Sequence, residues 1–272
     1  MLEVDNVEFL IRKCKETRKD IIEMIYASGS GHPGGSLSCV ELLVSLYHNI
    51  MNLNLDETGK RIDKFVLSKG HAAPAYYSVL AQKGYIEKKE LLSLRKIDGI
   101  LEGHPSIKIN GVDVSSGSLG QGLSIANGMA LAKKIDNKEG YVYCLMGDGE
   151  IEEGQIWEAA MTAAQYSLNN LIAFVDYNGL QIDGKLSEVT TPEPIKEKFE
   201  AFGFNVYEIP GHDVEIIINM VNYIKNNPNG KPNLVVLKTV KGKGISFMEN
   251  DFSYHGKKIT EEEYLKAKEE LK

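Results

Sequence analysis

The chain has 272 residues, 43% hydrophobic and 25% charged, with a formal net charge of −7 and a pI near 5.5. That length allows a large core in one α/β domain, and the acidic balance argues against nucleic acid as a main partner. No apolar run approaches the roughly 20 residues of a membrane span, so no membrane partner is expected either.

The N-terminal MLEVDNVEFLIRKCKETRKD reads as a charged amphipathic helix rather than a signal peptide. Val7, Leu10, Ile11, Cys14, Ile21, Ile22 and Ile25 mark its apolar face. Ser38 and Glu41 have capping-box spacing for a second helix reaching about Ile50. Five segments then read as strands: 65–68, 141–146, 171–175, 204–209 and 233–240. Helical patterns at 72–82, 120–136, 153–167, 193–202 and 213–226 separate most of them. Strands alternating with helices predict an α/β fold, a parallel sheet with helices on both faces. Asp213 is placed to cap one helix and Thr260 another, near the charged TEEEYLKAKEELK. Cys14, Cys39 and Cys144 lie too far apart for a metal pattern and are expected as buried thiols in a reducing cytosol.

The segment from position 147, GDGEIEEGQIWEAAMTAAQYSLNNLIAFVDYNGLQIDG, carries the most chemistry. It reads as one βαβ unit, with Asp148 just past one strand and Asn178 just past the next. Ligands of parallel sheets bind at the carboxyl ends of the strands. An acid and an amide there offer two hard oxygens to one cation, and magnesium commonly takes one or two carboxylates plus phosphate oxygens. For GDG alone, a tight turn with a capping aspartate is the simpler reading. An EF-hand is a poor match, because its turn glycine would fall on Glu153. Acids at Glu150, Glu152 and Glu153 have a plain explanation as favourable first-turn charges.

Four histidines sit beside glycines in turn-like segments: His32 in SGHPGG, His71 in SKGHAAP, His104 in EGHPS and His255 in FSYHGK. Such loops present an imidazole better than they bury one. His48 falls on a helix and His212 in a strand-to-helix turn, so both read as structural. GSGHPG matches the dinucleotide spacing but follows a helix and contains proline, which rules that reading out. Lys241 and Lys243 in TVKGKGIS could sit near anions, but solvated loop lysines are the simpler reading.

GDG with the strand-closing asparagine, EGQIWEAA, NGLQIDG, GSLGQG and the four histidine loops together resemble the thiamine-diphosphate enzymes and, more narrowly, the transketolases. The resemblance covers nearly the whole chain, to about His255. It implies a single thiamine diphosphate-binding domain over residues 1–272. It implies Mg2+ held by Asp148, Asn178 and the carbonyl of Leu180. Gly149 and His71 would contact the diphosphate, Gly117, Leu119 and Ile182 would flank the thiamine rings, and Asn178 and His255 would also be cofactor-binding residues. His32, His71, His104 and His255 would line the channel, contact the sugar's hydroxyls and move protons, with pKa values near neutrality suiting both directions. Glu153 and Glu158 would lie at a subunit interface. Tyr254 stands where longer relatives often have tryptophan, a minor departure.

Longer transketolases carry a second, pyrimidine domain and a C-terminal domain, for which this chain has no room. The resemblance therefore implies the N-terminal subunit of a split transketolase, needing a C-terminal partner subunit, most simply with two copies of each chain. The implied reaction moves a two-carbon ketol unit from a ketose phosphate such as xylulose 5-phosphate to an aldose phosphate such as ribose 5-phosphate, in the cytoplasmic non-oxidative pentose phosphate pathway. A subunit of a related ketol-transfer enzyme, or a catalytically silent binding protein of the same fold, are the alternatives. Leu119, Ile151 and Ile182 are expected to be left in water by the chain alone.

Overall fold

The computed structural model describes residues 4–272; the first three residues of the expected N-terminal helix lie outside that range. Helix α1 (Val4–Ser28) buries Leu10, Cys14, Ile21, Ile22 and Ile25, as the periodicity requires, whereas Ile11 stays exposed. Three short helices follow around the first strands: α2 (Pro33–Leu37), α3 (Val40–Ser45), which continues as a wide turn through Ile50, and α4 (Ala73–Gln82). Then come α5 (Gln121–Ile135), α6 (Gly154–Gln165), α7 (Leu186–Val189), α8 (Ile195–Ala201), α9 (Val214–Asn226) and α10 (Glu261–Glu270).

The strands are β1 (Lys64–Leu67), β2 (Val142–Gly147), β3 (Leu171–Tyr177), β4 (Asn205–Pro210) and β5 (Asn233–Lys238). They form one sheet in the order β1, β2, β3, β5, β4, with every pairing parallel. The alternation of strand side chains divides the core into two layers. Phe65, Tyr143, Ile172 and Phe174 face one cluster with α1, α3, α4 and α9. Val66, Cys144, Ala173 and Val175 face the other, with α5, α6 and α8. Helices therefore cover both faces, as the continuous apolar strands demand. Among the described residues no helix is long and apolar enough to cross a membrane.

Asp213 caps α9, accepting from the Glu215 and Ile216 amides, and Thr260 forms a full capping box with Glu263 on α10. The box expected from Ser38 and Glu41 does not form. Ser38 closes α2 instead and donates its hydroxyl to Asp176 (2.5 Å), while Glu41 pairs with Arg18 and His212. Both side chains are buried, and the groups they meet come from distant elements that no local pattern announces. The last strand ends at Lys238 rather than at 240; the Thr239 amide still donates to the Tyr177 carbonyl (3.0 Å), and its hydroxyl donates to Asp176. Cys14, Cys39 and Cys144 are free and buried, as expected.

Phe174 is fully buried in the central strand. Phe174→Ala should destabilise the chain by about 3–5 kcal/mol, the cost of deleting a well-packed aromatic side chain. Urea unfolding measures this directly, and a loss below about 1 kcal/mol would contradict the packing described here.

Candidate active site

The carboxyl ends of β1, β2, β3 and β5 meet at one edge of the sheet. Asp148 follows β2, and its Oδ2 accepts from the backbone amides of Asn178 (2.8 Å) and Gly179 (2.7 Å) at the end of β3. Asn178 Oδ1 accepts from the Leu180 amide (3.2 Å). The Leu180 carbonyl accepts from Lys241 Nζ (3.1 Å), which arrives from the turn after β5. One aspartate thus joins two strand ends, and it lines a cleft of about 260 Å³.

Glu150 braces the cleft from below. It is buried and accepts from the Ser68 hydroxyl and from the amides of Gly120 (3.0 Å) and Gly147 (3.0 Å). Gly120 has φ +83, and a Cβ there would come within 2.8 Å of Glu153, so the loop before α5 closes over Glu150 only as glycine. Glu150 does stand in the first turn of a short helical segment (Glu150–Glu152), as read from the sequence, but its carboxylate also ties three loops together.

The four loop histidines form one cluster. His32 lies 5.3 Å from His71, 5.6 Å from His255 and 6.4 Å from His104, ring centre to ring centre, and His71 lies 5.3 Å from His255. Four distant loops carry them, and small residues make the approach possible: a Cβ on Gly35 would stand 2.9 Å from His71 Nε2. Lys241 Nζ is 3.0 Å from His255 Nδ1. An ammonium only donates, so His255 Nδ1 is the acceptor and its Nε2 carries the proton.

Burial disfavours the charged forms of two groups at this edge. Burial, followed by the charge of Asp176, raises the Asp148 carboxyl to about 6. Burial also lowers the Lys241 ammonium to about 8, with Asp148 acting the other way. A carboxylate that burial disfavours, beside an amide oxygen and a main-chain carbonyl, suits a hard divalent cation completed by phosphate oxygens. Among the described residues no group of three or more His, Cys, Asp and Glu could hold a metal.

The family described as transketolase, thiamine diphosphate binding domain, matches residues 12–272. The chain belongs to this family. An apulose-4-phosphate transketolase subunit from Phocaeicola vulgatus is 42% identical over 266 residues, covering 97% of this chain and 94% of that protein. A 6-deoxy-6-sulfo-D-fructose transketolase subunit from Clostridium sp. is 44% identical over 256 residues and covers 93% of each. The transketolase of Campylobacter jejuni superposes with a TM-score of 0.89 at 34% identity, covering 97% of this chain and 43% of that one.

In this transketolase-family chain, His71, Leu119, Asp148, Gly149, Asn178, Leu180, Ile182 and His255 all line the one cleft. His32 and His104 stand beside it through their ring contacts. Gly117 lies under the His104 ring, where a Cβ would come within 3.3 Å. Leu119 and Ile182 are 41% and 63% exposed at the rim. Ile151 corrects the expectation of a third exposed apolar residue: it is fully buried with the α5 and α6 layer, because the turn at Glu150 points it inward. Lys241 corrects another. It is buried, not solvated, and reaches across the cleft. Its place just past a parallel strand was the available signal. Lys69, two positions before His71, has no local signal at all; it is buried and pairs with Asp176.

The histidines differ from the near-neutral groups expected. Burial holds His32 down to about 4, helped by Arg95, and holds His255 down to about 3, helped by Lys241. Burial is also the leading cause for His71, with Lys69, and for His104, with Arg95. All four are therefore neutral bases near pH 7. The unfolded chain binds protons at these imidazoles near 6.5, while folded His32 and His255 resist to about 4 and about 3. The unfolded state binds more protons across that window, so their contribution to stability is present above 6.5 and lost as pH falls. Unfolding measured from about pH 8 to about pH 4 should show His255→Asn losing stability less steeply than wild type. Parallel curves would contradict the depressed imidazole.

Proposed function

We propose that this chain is the diphosphate-binding, N-terminal subunit of a split transketolase, its described residues forming one cofactor domain. It would move a two-carbon ketol unit from a ketose phosphate such as xylulose 5-phosphate to an aldose phosphate such as ribose 5-phosphate. The observation that carries this reading is the single cleft in which Asp148, Asn178 and Leu180 converge beside the histidine cluster. Asp148, the Asn178 side-chain oxygen and the Leu180 carbonyl would hold Mg2+. Gly149, His71 and Lys241 would meet the diphosphate, with Gly117, Leu119, Ile182 and His255 around the rings. When bound, thiamine diphosphate supplies the carbon nucleophile and electron sink that ketol transfer needs. The chain's part is to orient the sugar and move protons. His255, with its proton on Nε2, would donate a hydrogen bond toward the sugar, while His32 and His104, neutral, would take a proton from a hydroxyl and return it.

The exposed apolar rim at Leu119 and Ile182 supports a partner on that side, carrying the pyrimidine and C-terminal domains. Relatives of matching length named as subunits support the same division, and two copies of each chain is the simplest assembly. Free, buried thiols suit a cytoplasmic setting. A second reading differs only in the sugar. Relatives at 42% and 44% identity are named for apulose 4-phosphate and 6-deoxy-6-sulfo-D-fructose, which favours testing substrates beyond the pentose phosphate pathway.

Asp148→Ala should weaken cofactor binding, assayed with Mg2+ and the partner subunit, by at least about tenfold, roughly 1.4 kcal/mol. Equal affinities for variant and wild type would remove Asp148 from the site. His32→Ala or His104→Ala should slow ketol transfer by about 10²–10⁴-fold while changing cofactor affinity far less than Asp148→Ala does. The assay follows a seven-carbon ketose phosphate formed from five-carbon phosphates, with the two named sugars run in parallel. Turnover by this chain alone would sink the split-enzyme reading. Full activity in both histidine variants would sink their assignment.

A further inference from the structure

The turn that carries Lys241 is gripped from behind by residues that do not line the cleft. The Val240 amide donates to His212 Nε2 (2.8 Å), and the Lys243 carbonyl accepts from Arg18 Nε (2.9 Å). These two grips flank Lys241, one on each side. They are also one unit. Glu41 accepts from Arg18 Nη2 at Oε1 (2.5 Å) and meets His212 Nδ1 at Oε2 (2.9 Å). Arg18 and Glu41 are buried, His212 is nearly so, and all three border a hollow of about 520 Å³ between α1 and α9.

The chemistry of the four groups leaves one arrangement. A backbone amide can only donate, so His212 Nε2 must be the lone-pair nitrogen. The proton is then on Nδ1 and is donated to Glu41. A guanidinium can only donate, so the other Glu41 oxygen belongs to Arg18. Glu41 therefore has to be a carboxylate, an acceptor on both sides.

We infer that Glu41 and His212 are positioning residues for Lys241: Glu41 selects the His212 tautomer, whose free nitrogen fixes the Val240 amide and so aims the Lys241 ammonium into the cleft. This rests on the reading above in which Lys241 meets the cofactor's diphosphate. The turn is also held by its own backbone: the Lys241 carbonyl accepts from the Asn250 amide (3.0 Å) and the Val240 carbonyl from the Lys243 amide (3.2 Å), so the His212 bond is the side-chain grip on the Val240 amide. The Gly242 amide bonds to the Gly34 carbonyl (3.1 Å), and the Lys241 stem lies where a Cβ on Gly34 would stand, 2.9 Å from its Cγ.

The isosteric change Glu41→Gln tests the tautomer logic. The amide oxygen must turn to Arg18, so its NH2 faces His212 Nδ1. That nitrogen must give up its proton, and Nε2–H then confronts the Val240 N–H. Two variants at position 212 separate the two bonds. His212→Gln can keep an acceptor near the Nε2 position, whereas His212→Asn keeps only the donor toward Glu41. Two readouts are used: amide hydrogen exchange at Val240 in the chain itself, and affinity for thiamine diphosphate with Mg2+ in the presence of the partner subunit.

Glu41→Gln and His212→Asn should expose the Val240 amide to faster exchange and weaken cofactor binding by about tenfold, the lower end for groups that orient a ligand from behind. His212→Gln should stay close to wild type in both. Unchanged Val240 protection and unchanged affinity in Glu41→Gln would overturn the inference. If Glu41→Gln does not fold, the two His212 variants decide: equal behaviour of Asn and Gln overturns it. Lys241→Met separates the two levels. If Lys241→Met binds cofactor as wild type does, the diphosphate role of Lys241 fails and this inference with it. If Lys241→Met is weakened while Glu41→Gln and His212→Asn are not, only the positioning role fails.

Discussion

The ion pair between Lys69 and Asp176 holds the site edge together. Both side chains are almost completely buried, at 2% and 1% exposure. Burial works against each charge, yet the partner wins: the Lys69 ammonium is held above its ordinary range and the Asp176 carboxyl below it. Asp176 also accepts from the Ser38 and Thr239 hydroxyls. The end of β3 is thereby tied to the loop after β1, the exit of β5 and the junction of α2 and α3. Such a pair adds little net stability over an apolar substitute, but removing one partner strands the other charge. Its value here is geometric, because three segments around the site are fixed to one carboxylate at the end of β3.

Glu150 repeats the device one layer lower. Its two oxygens take a hydroxyl from the loop after β1 and amides from the loop before α5 and the end of β2. The cleft floor is therefore built from satisfied acceptors, which rigidify a polar interior that would otherwise be costly. Asp148 differs. It takes three backbone amides, from Gly149, Asn178 and Gly179, yet its carboxyl remains raised to about 6. Burial and the neighbouring Asp176 charge outweigh the hydrogen bonds, and a cation at this point would relieve both.

The histidine cluster follows from the same crowding. Lys69, Lys241 and Arg95 stand around it, and each adds positive charge that keeps the imidazoles neutral. Lys241 further sets the tautomer of His255 by donating to Nδ1. The site thus presents neutral bases and fixed donors beside a buried acid, all without a carboxylate in the histidine cluster itself.

Much of this was written locally. Strand order in the chain, apolar runs and helical spacing determined the parallel sheet and its covered faces, since periodicity reports burial one element at a time. Asp148 and Asn178 were legible because strand ends in parallel sheets are where ligands bind, and glycine-flanked histidines because their loops present a ring more readily than they pack it. The capping of α9 and α10 needed only neighbouring residues. Ser38, Glu41 and Lys241 were misread, and Glu150 only half read, for one shared reason. Each has a plausible local role, at a helix start or in solvent, and each bonds instead to groups far along the chain, as with Ser38 and Asp176, 138 positions apart, or Lys241 and Leu180, 61 apart. Ile151 failed likewise, since a single turn decides whether its side chain meets water or core. Which residues a loop carries is a property of sequence; which of them face one another across the strand ends is decided only when the sheet assembles, because burial then favours polar groups that bond to one another across distant loops.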